Sequence, residues 1–162
     1  MADIVDKPTR SRMMSGIKGK NTKPELVLRR ALHVRGFRFR LHSRKIFGRP
    51  DIILRKYNAV IFVHGCFWHQ HEGCRYATIP STRRVFWRAK FEANITRDRN
   101  VCGQLLKDGW RVGTVWECAL RKPDQVDLAV GQLATWLAGK KERMEFGGSA
   151  TAKSTQCVDT KY

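Results

Sequence analysis

Residues 51–74 read DIILRKYNAVIFVHGCFWHQHEGC, and this stretch sets the architecture. Two apolar runs, Asp51–Leu54 and Ala59–Val63, flank Arg55-Lys56-Tyr57-Asn58, which is about the length of a hairpin loop. If that loop makes the turn, Leu54 faces Ala59 and Asp51 falls beside Phe62, give or take a residue. Asp51 and the Val63–His64 backbone then meet at the open end of the hairpin. Residues 64–74 are polar and rich in metal-binding side chains, so the second strand runs straight into a loop built for chemistry.

Outward from the hairpin, Phe37-Arg38-Phe39-Arg40-Leu41 alternates and predicts a half-buried strand with its arginines facing out. Before it, Thr22 can cap a helix, Pro24 suits the first turn, and Glu25 sits three residues on, as in a capping box. Gly36 ends that helix. Thr82 to Lys107 predicts one long helix stopped by Gly109, with Phe91, Ile95, Cys102 and Leu105 on one stripe. Asp98 lies on the same stripe, and a carboxylate on an apolar face needs a partner. Neighbouring Arg97 and Arg99 point off the stripe, which makes a histidine the more attractive partner. Trp110 to Glu117 predicts another strand, and Pro123 to Leu137 a final amphipathic helix. The order of helix, three strands, helix, strand and helix is that of an α/β fold around a mixed sheet. One domain spans 22–139, preceded by a basic arm over 1–21 that orders on its partner and followed by a loose polar tail over 140–162.

Charge gives the first functional direction. The 162-residue chain carries a net +18, and residues 1–60 hold a surplus of 12 basic over acidic side chains. Such a field attracts polyanions, and nucleic acid is the commonest one that a cytoplasmic protein meets. An anionic membrane is the rival, but no basic helix with a wide apolar face is evident. No run approaches the roughly 18 uncharged apolar residues of a membrane span. The first residues also lack the apolar core of a secretory signal, so the expected location is the cytoplasm. Five cysteines in that setting argue against a disulfide framework, and Cys102 and Cys157 read as ordinary thiols.

Cys66, His71 and Cys74 lie within nine residues, with His64 and His69 close by. Thiolates and imidazoles at such spacing suit tetrahedral zinc, and Cys118, at the end of the 112–117 strand, is the natural fourth ligand. Four protein ligands make a structural site, although His64 or His69 can replace His71 in it. A second group comprises Glu25, Asp51, His64, His69 and Asp98. A carboxylate beside a backbone carbonyl can hold Mg²⁺ with few protein ligands, and a histidine can serve as general base. Glu25 fits either this group or a plain capping role. These features describe a metal-dependent hydrolase acting on nucleic acid, or a non-catalytic zinc-stabilised nucleic-acid-binding protein.

Three motifs narrow the choice: residues 48–51 (GRPD), 62–69 (FVHGCFWH) and 115–121 (VWECALR). With Asp6-Lys7, Thr9-Arg10-Ser11 and Met14, they resemble the Vsr endonucleases of very short patch repair over roughly residues 1–138. The resemblance implies a restriction-endonuclease-like core in one domain. It also implies a bacterial, strand-specific nick 5′ of the thymine in a T·G mismatch, the lesion left when 5-methylcytosine deaminates. Double-stranded DNA carrying that mismatch would be the partner and a cytosine-5 DNA methyltransferase the companion, with the enzyme monomeric and on the nucleoid when bound to DNA. By the same resemblance, Asp51 and the Val63 carbonyl hold a catalytic Mg²⁺. His69 is the general base, supported by His64, Glu25 and Asp98. Cys66, His71, Cys74 and Cys118 hold a structural zinc. Phe67, Trp68 and Trp87 wedge into the base stack, with Met14 approaching from the other groove. Two departures stand out: Val63 replaces a threonine of the family's pattern, and one extra residue lies between His71 and Cys74. Apart from the resemblance, Phe67 and Trp68 sit in a polar loop, an odd place for core side chains, and apolar wedges open a mismatched step at least cost.

Overall fold

The hairpin forms in the expected register. In a computed structural model that describes residues 6–15 and 19–147, β2 (Ile52–Leu54) and β3 (Ala59–His64) pair antiparallel with Leu54 opposite Ala59. Arg55–Tyr57 form a single 3-10 turn, and Asn58 closes it in the left-handed region at φ 50°. The carbonyl of Asn58 accepts from the Arg111 amide, which seats the next strand. Residues 1–5, 16–18 and 148–162, including Cys157 and parts of the expected arm and tail, lie outside the described residues.

Five strands make one sheet, in the order β1 (Arg40–Leu41), β2, β3, β4 (Arg111–Trp116) and β5 (Arg143–Phe146). β1 and β2 run antiparallel to their neighbours, whereas β3, β4 and β5 are mutually parallel. Strand periodicity divides the apolar side chains between two faces. Ile52, Leu54, Ile61 and Val115 pack with Leu28 and Leu32 of α2 (Lys23–Val34) and Val130, Leu133 and Trp136 of α4 (Pro123–Ala138). Ile53, Val60 and Val112 pack with Leu105 of α3 (Arg84–Lys107). This is a mixed sheet flanked by helices, as in a restriction-endonuclease-like core.

Three expectations need correcting. Of Phe37–Leu41 only Arg40 and Leu41 pair, because β2 is three residues long and Arg40 already stands opposite Ile53. Phe37 and Phe39 still pack on the core, so the alternation marked burial rather than strand length. The tail does not begin loose at 140: Arg143–Phe146 pairs with β4, and Trp116 Nε1 donates to Glu145 Oε1 at 2.6 Å. The arm contains a helix, α1 (Lys7–Ser15), begun by Asp6, whose side chain accepts from the Thr9 amide. It buries none of its residues.

α3 starts two residues later than expected and ends on Gly109, whose φ of 86° suits glycine. The loop before β2 is tied to it at one tight point. Gly48 has φ 74°, and a Cβ there would lie 2.2 Å from Val101 Cγ1 of α3. The Gly-Arg-Pro-Asp turn thus seats directly on that helix.

Candidate active site and metal centres

Parallel pairing of β3 with β4 aligns His64 with Trp116, so both strands leave the sheet side by side. Two residues further along each chain stand Cys66 and Cys118, both buried. The Cys66–Cys74 loop folds back through hydrogen bonds, the His71 amide donating to the Cys66 carbonyl and the Cys74 amide to the His71 carbonyl. This gathers the ligand atoms of Cys66, His71, Cys74 and Cys118 within 4.8 Å of one another. His71 Nδ1 lies 3.7 Å from Cys66 Sγ and 3.4 Å from Cys118 Sγ. Tetrahedral zinc with bonds of about 2.0–2.3 Å needs ligand separations of about 3.3–3.8 Å, so the donors fit. None of the three sulfurs is in a disulfide. The Cys118 contact and burial push the Cys66 thiol well above its ordinary range. A cation would reverse that and hold the thiolates. Trp116 stacks on His71 at 4.2 Å between ring centroids, a contact with no signal in local sequence.

His64 and His69 do not join that group. Their rings stack face to face, with centroids 3.9 Å apart and planes 2° off parallel. His69 Nδ1 meets Asp98 Oδ2 of α3 at 2.5 Å, so the carboxylate on the stripe has a histidine partner. Burial, then the neighbouring His69, hold the His64 pKa down at about 3. His64 is therefore neutral at physiological pH.

Asp51 lies where the hairpin register puts it, and its Oδ2 accepts from the Val63 amide at 2.8 Å. Burial raises its pKa to about 7 against the pull of that hydrogen bond, and Glu25 pushes it further up. A partly buried carboxylate beside a backbone edge favours a cation, and Mg²⁺ suits such an oxygen-donor set. Val63 contributes here only backbone, so the missing threonine hydroxyl leaves that edge in place.

Glu25 is both cap and site. Thr22 Oγ1 accepts from the Glu25 amide at 3.4 Å, while Glu25 Oε2 accepts from the Asn21 amide at 3.1 Å, one residue earlier than in the usual box. The same Oε2 takes Arg29 Nη2 at 2.7 Å, and the side chain is buried. Its carboxylate, His42 and Asp51 have ligand atoms within 4.8 Å of one another. Arg29 and His42 carried no sequence signal, because neither belongs to a spacing motif and the fold alone unites them.

Glu25, Asp51, Val63, His64, His69 and Asp98 line one cavity of about 720 Å³, shared with Trp68 and Lys90. Of the three expected wedge residues Trp68 lines it, and Phe67, Trp68 and Trp87 form one cluster, with Phe67 edge-on to Trp68 at 5.1 Å and to Trp87 at 5.6 Å. Gln70 and Asn94 fix this loop by donating to the carbonyls of Phe67 and Trp68. The cluster is only partly buried, which separates it from ordinary core. Lys90 Nζ hovers over Trp68, Phe86 and Trp87 at 5.4, 5.9 and 5.7 Å. Met14 is 40% exposed on α1 and is not part of this cavity. Among the described residues no helix is long and apolar enough to cross a membrane.

Comparisons with known proteins place the chain in a family. Residues 2–75 match the family model described as DNA mismatch endonuclease Vsr. The chain is 41% identical over 142 residues to the DNA mismatch endonuclease Vsr of Escherichia coli, covering 86% of this chain and 90% of that protein. It is 44% identical over 120 residues to the Type II nicking enzyme V.XorIIP of Xanthomonas oryzae, covering 74% and 88%. Against the Type II nicking enzyme V.NmeAIP of Neisseria meningitidis, identity is 42% over 121 residues, covering 75% and 86%. The motifs that run from Asp51 to Cys118, folded into one cavity and one four-ligand cluster, thus belong to a chain of the Vsr DNA mismatch endonuclease family.

Proposed function

We propose that this protein nicks DNA on the 5′ side of the thymine in a T·G mismatch, in a reaction that depends on Mg²⁺. The observation that carries the reading is the shared cavity, which Asp51, His69 and Asp98 line together with Trp68 of the aromatic cluster. The positive field of the chain supplies affinity for the phosphate backbone. Phe67, Trp68 and Trp87 enter the stack where a mismatch makes unstacking cheap, and Met14 of α1 meets the duplex from the other groove.

Asp51 and the Val63 carbonyl would hold the Mg²⁺, which when bound polarises the phosphate and stabilises the leaving oxygen. His69 gives its Nδ1 proton to the bond with Asp98, and this fixes the tautomer with Nε2 free. That nitrogen takes the proton of an attacking water. Neutral His64, stacked on His69, keeps the base's ring plane fixed. Cys66, His71, Cys74 and Cys118 hold a structural zinc that ties the loop to the sheet. In this reading the enzyme acts as a monomer on bacterial nucleoid DNA. It initiates very short patch repair at lesions left by a cytosine-5 DNA methyltransferase.

The test is a duplex with a single T·G mismatch, assayed in Mg²⁺ beside its matched counterpart. The expected result is one nick in the thymine strand of the mismatch alone. Equal cutting of both duplexes, or of neither across varied flanking sequences, would refute the specificity. A zinc-stabilised binder without catalysis would hold the duplex and leave it intact. Asp51→Ala should convert the protein into that form.

A further inference from the structure

Trp116 stands between the four-donor cluster and the cutting histidines, and its side chain touches both. The indole stacks on His71, with centroids 4.2 Å apart and planes 7° off parallel. It also meets His64 nearly edge-on at 5.3 Å. His64 is the register partner of Trp116 on β3, and it stacks in turn on His69.

Two residues of the C-terminal strand region hold this arrangement. Trp116 is buried, and a buried indole needs a partner for its N–H, which Glu145 of β5 supplies. A hydrogen bond to a carboxylate is among the stronger ones and fixes the rotation of the ring. Just beyond β5 the chain reaches the cluster a second time. A Cβ on Gly147 would lie 2.4 Å from His71 Cε1 and 2.7 Å from His71 Nε2, so bare backbone rests against the ring whose Nδ1 faces Cys66 and Cys118. The φ of Gly147 lies outside the left-handed region, so space rather than conformation calls for glycine there. Rings packed this closely cannot turn independently. One path therefore runs from Glu145 and Gly147 through Trp116 and His71 to His64 and His69.

We propose that Trp116 is a positioning residue for cutting, a joint through which β5 and the four-donor cluster fix the ring of His64 and, stacked on it, that of His69. The inference rests on the reading of His69 as the general base. Glu145 sets the rotation of the indole, and Gly147 sets the seat of His71. A strand that holds no reacting group thus takes part in orienting the base. With zinc on its Nδ1, His71 would be the fixed end of the path.

Nitrogen NMR of the histidine rings in the full, zinc-loaded chain tests this directly, because Glu145→Leu removes the anchor of the indole without changing a histidine. The ring signals of His71, His64 and His69 should shift, and a competing chelator should extract zinc about tenfold more readily. Single-turnover nicking of a T·G duplex should fall about tenfold with duplex affinity unchanged. Glu145→Gln keeps an acceptor for the indole N–H and should restore all three. Gly147→Ala, which presses on His71 from β5, should shift the same ring signals. Signals that stay in place in both Glu145→Leu and Gly147→Ala overturn the proposal even if the melting temperature falls, since a bond that only stabilises the fold leaves the rings where they are. Shifted rings with an unchanged nicking rate overturn it as well, and so does a Glu145→Gln protein that behaves like Glu145→Leu. If Glu145→Leu fails to fold, Trp116→Phe, which keeps an aromatic ring and loses the donor, carries the same readouts. Rings that shift in a protein whose wild type nicks no duplex would refute the function proposed above and leave the joint standing.

Discussion

His69 Nδ1 and Asp98 Oδ2 are 2.5 Å apart, although one belongs to a loop after the third strand and the other to the middle of a long helix. The bond fixes which nitrogen of His69 faces the cavity. His69→Ala should lower the nicking rate by about 10²–10⁴, the usual contribution of a positioned general base. Asp98→Ala should lower it by a smaller factor, because the base survives but loses its orientation. Single-turnover rates at saturating enzyme would show this, with duplex affinity unchanged in both variants.

Asp51 predicts a pH dependence of definite sign. Its carboxyl is raised from 3.8 to about 7 in the metal-free fold, so the folded chain binds the extra proton between those values. Stability without metal should therefore be fully present below about 3.8 and fall as pH rises toward 7. Asp51→Asn keeps an acceptor for the Val63 amide and should flatten that fall, as urea denaturation at several pH values would reveal. The same variant should lose about 10³ or more in nicking rate. For the wild type, apparent Mg²⁺ affinity should drop about tenfold per unit below pH 7.

Much of this site was legible because its parts are close in sequence. The turn at 55–58 fixed the register of the strand that begins beside Asp51, and the spacing of Cys66, His71 and Cys74 announced that these donors gather in one loop. Asp98 was found at long range because a carboxylate on an apolar stripe demands an explanation. Arg29 and His42 were not found, since an arginine in a helix and a lone histidine look ordinary in sequence until the fold brings them together. β5 was missed for the same reason. Arg143–Phe146 alternates polar and apolar side chains over only four residues, too few to announce a strand, and it pairs with β4 beside the Trp116–Glu145 bond.

Cys118 is the member of the four-donor cluster that follows β4, and as a zinc ligand its loss should be felt twice. Cys118→Ser should release close to one zinc per chain, measured by metal analysis. It should also lower the melting temperature, because structural zinc contributes folding energy outright. A variant that keeps its metal and its melting temperature would show that the four-donor cluster is not a staple.

The aromatic cluster predicts a separation of affinity from selectivity. Trp68→Ala should keep most binding to matched duplex, which the charge of the chain supplies, and lose the preference for T·G over T·A. Competition binding with the two duplexes at fixed salt checks this. An unchanged ratio would return Trp68 to the role of a hydrophobic plug over the loop.

Gly48 touches no catalytic group, yet a single methyl there would collide with Val101, one turn from Asp98 on the same helix. With φ at 74° the turn would be strained as well, and the clash would press on the helix that carries the carboxylate bonded to His69. Gly48→Ala should therefore behave in a kinetic assay like a weakened Asp98 variant, with the cost in turnover rather than in binding. The glycine sets the spacing of a lever, and the far end of that lever is the carboxylate that holds His69.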